Sequence, residues 1–204
     1  MAGRAALIAI VFGLALYGIG PVASAHDGVG LEAYRRLDFA AALAVWLPLA
    51  RKGDAYAQTW IGVMHAEGKG VAKEPAAAIR WFRRAASQGY AEAEYQLGVI
   101  HEFGHGVDED KAMARRYYER AANHAHVEAQ LRLSELYEFG IGTAVDLVHA
   151  HMWADIAERI SSTHSERVRA GGNRDTLEEI MTPDQTAEAR RLAQAWVERH
   201  PPGD

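Results

Sequence analysis

The sequence predicts an all-α protein: an α/α solenoid, a superhelix of helix–turn–helix repeats with capping helices at its N- and C-terminal ends. Three observations lead there. The chain resembles itself at a period of 36 residues, each copy carries apolar stripes of helical spacing, and a Gly-x-Gly loop separates the stripes.

Residues 55–90 set above 91–126 align Gly62 with Gly98, His65 with His101, Gly68 with Gly104 and Gly70 with Gly106, and Ala85-Ala86 with Ala121-Ala122. A third copy, 127–162, keeps Ala129, Gly140, Gly142, Asp146, Ala150 and Trp153 in register before its end degenerates. A fixed period of this length marks stacked units that bury their apolar faces only against one another.

Inside each copy the first half places apolar residues at i, i+4 and i+7: Ala57, Ile61, Met64; Ala93, Leu97, Ile100; Ala129, Leu133, Leu136. The second half uses i, i+3, i+4 and i+7, as in Ala78, Trp81, Phe82, Ala85 and Ala114, Tyr117, Tyr118, Ala121. Both are one-sided stripes of a 3.6-residue helix. Gly62, Gly98 and Ser134 follow the first stripe and let a neighbouring helix approach. A mid-helix glycine costs about 1 kcal/mol against alanine, so packing must offset it. In the loops EGKGV, FGHGV and FGIGT the first glycine suits a left-handed helix C-cap. Glu74, Asp110 and Asp146 then stand where an acid complements the N-terminus of the second helix, and Pro75 fits its first turn.

The flanks read as caps. Residues 26–54 form an N-terminal capping half-repeat, whose stripe of Phe39, Leu43 and Trp46 is expected to kink at Pro48 and end at Gly53. Beyond repeat three, Ser161 to Thr163 and Gly171-Gly172 predict a flexible polar passage with a short helix near 174–181. Thr182-Pro183-Asp184-Gln185 is a helix start with a capping box, followed by a stripe of Ala189, Leu192, Ala193 and Trp196. Residues 163–204 are thus a flexible passage and a C-terminal capping helix.

Residues 1–25 read as a signal peptide: Arg4, an apolar core from Leu7 to Ile19, and an A-x-A site with cleavage between Ala25 and His26. The apolar run falls short of the roughly 20 residues a membrane span needs, and no later run reaches it. The chain contains no cysteine, which excludes disulfides, an acylated lipoprotein anchor, a thiolate metal site and a cysteine nucleophile. A periplasmic or secreted bacterial protein fits. Lysine and arginine total 22 against 27 acids for a formal charge of −5. An acidic balance without a run of Lys/Arg argues against nucleic acid.

These repeats resemble the Sel-one-like repeat family, a tetratricopeptide-related class. Its pattern is matched by Ala93, Leu97, Gly98, Gly104, Gly106, Val107, Asp110, Ala114, Ala121 and Ala122. Tyr117 replaces the usual Trp, and His65 and His101 replace the usual Tyr, which returns at Tyr137. The resemblance covers about 40–160 and implies an adaptor or scaffold with a protein or peptide partner. Some disulfide-rich secreted relatives have been linked to β-lactam binding or hydrolysis. This chain lacks their cysteines and any S-x-x-K motif.

Among ten histidines, His101/His105, His124/His126 and His149/His151 are close in sequence. His105 lies in a loop, and residues two apart on a helix point about 200° from each other, so these pairs make a poor metal site. The Gly-x-Gly loops follow a helix and lack a phosphate-binding pattern. No catalytic constellation or cofactor motif emerges. The expectation is a non-catalytic scaffold whose first helices line a binding groove. His65, His101 and Tyr137 would form a ladder in that groove, with Trp60 and Tyr95 on exposed flanks as aromatic anchors. A small-ligand or metal-binding periplasmic protein is the alternative, with a β-lactamase-like hydrolase behind it and wall-glycan binding also open.

Overall fold

The computed structural model describes residues 25–200, which form ten helices and no strand. They are α1 (Ala25–Arg35), α2 (Phe39–Arg51), α3 (Ala55–Glu67), α4 (Pro75–Ala86), α5 (Ala91–Phe103), α6 (Lys111–Asn123), α7 (Val127–Phe139), α8 (Leu147–Ile160), α9 (His164–Glu178) and α10 (Pro183–Arg199). The expected leader lies outside these residues except for Ala25, with which α1 begins, and so do residues 201–204. No helix among the described residues is long and apolar enough to cross a membrane.

Each helix packs on the next from α1 to α9, and α10 folds back onto α8, which gives a stack of hairpins between sequence neighbours. The close approach within a hairpin explains the glycines after the first stripe. A Cβ added at Gly62 would lie 2.7 Å from the Phe82 ring, and one at Gly98 would lie 2.5 Å from Tyr118. Gly30 of α1 meets Trp46 of α2 in the same way. Residues 26–54 therefore hold two helices built like a repeat, joined by the short Arg36–Asp38 link instead of a Gly-x-Gly loop. The helix also runs through Pro48 to Arg51.

The loops stack on the preceding unit. Gly70, Gly106 and Gly142 press against Phe39, Pro75 and Lys111, the first residues of α2, α4 and α6, leaving no room for side chains. Gly68, Gly104 and Gly140 cap the first helices at φ of 75, 69 and 67°, the left-handed region glycine enters without strain. Asp38, Asp110 and Asp146 accept hydrogen bonds from the N–H groups of Ala41, Met113 and His149. Glu74 makes no such cap; its carboxylate pairs with Arg80 at 3.1 Å. Two caps of first helices were not anticipated: Asp54 accepts from Ala57 at 2.7 Å, and Nδ1 of His126 accepts from Ala129 at 3.2 Å.

The passage expected to be flexible is corrected to a fifteen-residue helix, α9. Thr163 caps it through the Glu166 N–H, and Ala170 and Leu177 are fully buried. Gly171 sits on the face that meets Glu158 of α8 and allows close packing there, while the helix continues through Gly172, which faces open space. The capping box of Thr182 and Gln185 forms as expected, and Trp196 ties α10 to the end of α6 by a 3.1 Å bond to Asn123.

Candidate interaction surface

A polar seam joins the units behind the surface. Gln58 of α3 donates to the carbonyl of Ala50, and Gln130 of α7 donates to that of Ala122, both at 3.1 Å. At the equivalent position α5 carries Glu94, fully buried, with Arg120 at 2.7 Å and His124 at 2.9 Å. Arg120 in turn donates to the Ala86 carbonyl, the task glutamine performs in the other two units. Glu102 holds Tyr118 by a 2.8 Å hydrogen bond and also pairs with Arg132. Burial and the carboxylate push the Tyr118 hydroxyl well up, so it remains a donor.

The five residues expected to bind a partner sit close to this seam. Trp60 is corrected: it is buried, stacked 4.7 Å from Trp46 and packed on Tyr34, because α1 covers the flank that the sequence left open. Tyr95 is half-buried, stacked 4.7 Å from His126 with Tyr118 behind it. His101 lies half-buried on Tyr117 of its own hairpin at 5.5 Å. Burial and the Arg83 charge hold its imidazole below the usual histidine range. Tyr137 donates to Glu119 at 2.8 Å and packs on His149. Burial and Glu119 push its hydroxyl up to about 12. The main-chain carbonyls of His65, His101 and Tyr137 accept from the N–H groups of Glu74, Asp110 and Asp146 at 2.8–2.9 Å, so the ladder closes each hairpin.

The exposed row lies two residues further on. Phe103 and Phe139 end α5 and α7 at equivalent places and are 44% and 64% exposed. Arg132 reaches over the Phe103 ring at 5.9 Å, and His105 stacks beside it at 6.0 Å. His105 also lines a cleft of about 510 Å³ between the first two Gly-x-Gly loops, with Ala78 and Ile100 in its floor and Lys69 and Lys73 at its rim. The cleft and the two phenylalanines lie at the loop end of the first helices, and the rim of the cleft carries both signs of charge, since Glu67 pairs with Lys69 at 2.8 Å. The sequence did signal this row, through the F of FGHGV and FGIGT, yet it was hidden because a helix's last residue falls outside the apolar stripe. No group of three or more His, Asp or Glu residues suited to a metal occurs among the described residues.

Three matches to the Sel1 repeat family cover residues 55–90, 91–126 and 127–159, just over half of the chain. The chain belongs to the Sel1 repeat family. Repeats of this family typically scaffold protein–protein interactions. Among solved structures the chain is similar to a Sel1 repeat protein from Oxalobacter formigenes, 33% identical with a TM-score of 0.57, over 64% of this chain and 97% of that one. It is also similar to a protective antigen of uropathogenic Escherichia coli with an SLR fold, 26% identical with a TM-score of 0.55 over 85% of this chain. The chain spans 45% of that antigen's length. No curated protein matches it.

Proposed function

We propose that this Sel1 repeat chain is an exported adaptor of the bacterial cell envelope that receives a peptide segment of a partner protein along its loop edge and catalyses nothing itself. The observation that carries this reading is the exposure of Phe103 and Phe139 at equivalent repeat positions, with His105 joining Phe103 to the cleft. Each phenylalanine left in water forgoes about 1.5–3 kcal/mol of burial, and a repeated exposed aromatic row fits a surface that a partner covers. His65, His101 and Tyr137 keep a supporting part, since they fix the loops from which the edge is made. Because the loops are clamped on the helices beneath, binding would require little ordering of the receptor.

The test compares capture of envelope proteins by the wild-type chain and by a Phe103→Ala, Phe139→Ala variant of unchanged stability. Loss of a specific partner in the variant supports the edge. Equal capture by both sends the binding site elsewhere.

A further inference from the structure

The helices segregate charge by their place in the hairpin. The three first helices α3, α5 and α7 hold seven glutamates and a single arginine, Arg132. The second helices α4 and α6 reverse this, with seven Lys/Arg and the single acid Glu119. Although the whole chain is acidic, its second helices turn a basic flank to solvent. α4 and α6 present this flank side by side, because Arg120 of α6 bonds the Ala86 carbonyl at the end of α4. The sequence conceals it: basic residues three, four and 36 positions apart form no run, and only the fold gathers them.

Internal electrostatics do not account for the flank. Arg83 and Arg84 suit the C-terminal end of α4, but Lys111 is the first residue of α6, where the helix dipole disfavours a cation. No carboxylate pairs with Arg83, Arg84, Lys111 or Arg116 among the described residues. A second copy of this chain is a poor source of anions, since all of its first-helix glutamates but Glu138 are already paired, among them Glu92 with His126, Glu94 with Arg120, and Glu102 and Glu135 with Arg132.

We infer that the outer flank of α4 and α6 docks on a membrane surface of anionic phospholipid headgroups. Planar guanidinium groups bind phosphate through paired hydrogen bonds, and all but one of the seven cations are arginines. Ala76 and Ala112 are the exposed residues between them, small enough for a flat surface to reach the guanidinium groups. The two best-formed clefts among the described residues open elsewhere, at the loops and between α1 and α2. Trp81 and Tyr117, half-buried, carry Arg84 and Arg120 over their rings at 4.6 and 5.8 Å. Aromatic rings beside arginines suit the headgroup layer.

Trp81 makes this testable at one site, because the other four tryptophans, Trp46, Trp60, Trp153 and Trp196, are buried. The full chain is mixed with vesicles of phosphatidylglycerol or of phosphatidylcholine, brominated near the headgroup, and tryptophan fluorescence is read. Quenching by the anionic vesicles alone is expected. It disappears in Trp81→Phe, and Arg83→Glu, Arg84→Glu, Arg116→Glu weakens the underlying binding about a hundredfold with circular dichroism unchanged. Quenching that survives in Trp81→Phe, that phosphatidylcholine produces equally, or that the triple variant retains would overturn the inference. So would the absence of quenching, or its abolition by a polyglutamate peptide held tighter than the vesicles, which would assign the flank to an acidic protein.

Discussion

The buried carboxylate of Glu94 lies 2.9 Å from Nδ1 of His124, at the place where Gln58 accepts a 3.0 Å hydrogen bond from Gln88 one repeat earlier. A neutral amide pair in the first repeat is replaced by a carboxylate–imidazole pair in the second, with the same spacing of thirty residues. The seam thus asks for a hydrogen-bonding side chain of this length, and either chemistry satisfies it.

Glu94→Gln is therefore expected to cost little, under about 1 kcal/mol, because an amide here can bond the Ala86 carbonyl as Gln58 bonds that of Ala50. Glu94→Ala leaves Arg120 and His124 without their acceptor and empties a buried site, at about 2–3 kcal/mol. Urea unfolding of the two variants measures the contrast. Equal losses would mean that the charge, not the shape, holds the seam.

The close approach of Gly98 to Tyr118 predicts that Gly98→Ser destabilises by about 1–3 kcal/mol, although it improves helix propensity. The third repeat carries Ser134 and Ala154 at these two positions, a larger residue facing a smaller one. Gly98→Ser should accordingly cost less on a Tyr118→Ala background than on the wild type. A double-mutant cycle by thermal unfolding reads the coupling. Additive losses would refute the proposed contact.

Acid should loosen the C-terminal cap. Glu178 of α9 accepts from His151 of α8 at 2.7 Å and from Arg190 of α10 at 2.9 Å, so one carboxylate links three helices. The His151 hydrogen bond, aided by Arg190, holds its pKa below the usual carboxylate value of 4.5. A carboxyl lowered by folding contributes stability that is fully present above about 4.5 and is lost as pH falls through its lowered value. Glu178→Gln should cost about 1 kcal/mol at pH 7 and nothing near pH 2, by denaturant midpoints at the two pH values. For Glu92 burial pushes the carboxyl up, yet its bond to His126 outweighs it and lowers the pKa, so the α6–α7 turn loosens in the same direction.

His101 gives a second window at higher pH. Burial and Arg83 lower its pKa below 6.5, so its contribution is complete above that value and fades as pH falls through the lowered one. His101→Gln should flatten the pH dependence of stability just below pH 6.5. Thermal melts across pH 5–7.5 check it, and an unchanged slope would place the imidazole in water.

How much was legible in the sequence follows from what each signal depends on. The three repeats were readable because Gly62, Phe82 and their equivalents recur at a fixed interval and meet one another directly. α1 was missed as a helix of its own because its link to α2 lacks the Gly-x-Gly loop, so the period shifts there. α9 was missed because glycine in mid-helix reads as a break until the facing Glu158 is seen. Trp60 could not be placed without α1, the element that buries it. Recurrence singles out His101 and Tyr137, but recurrence does not tell a contact that closes a hairpin from one that faces a partner. Exposure adds what recurrence lacks, and Phe103 and Phe139 are exposed aromatic residues that occupy equivalent repeat positions.

The most direct test of the adaptor account is photo-crosslinking in intact cells, with a benzoylphenylalanine placed in turn at 103, 139, 48 and 187. The account predicts one partner protein joined from positions 103 and 139, both on the loop edge, and not from the exposed sites at Pro48 and Ala187. Adducts that form from 48 or 187 while 103 and 139 stay unlinked would contradict it.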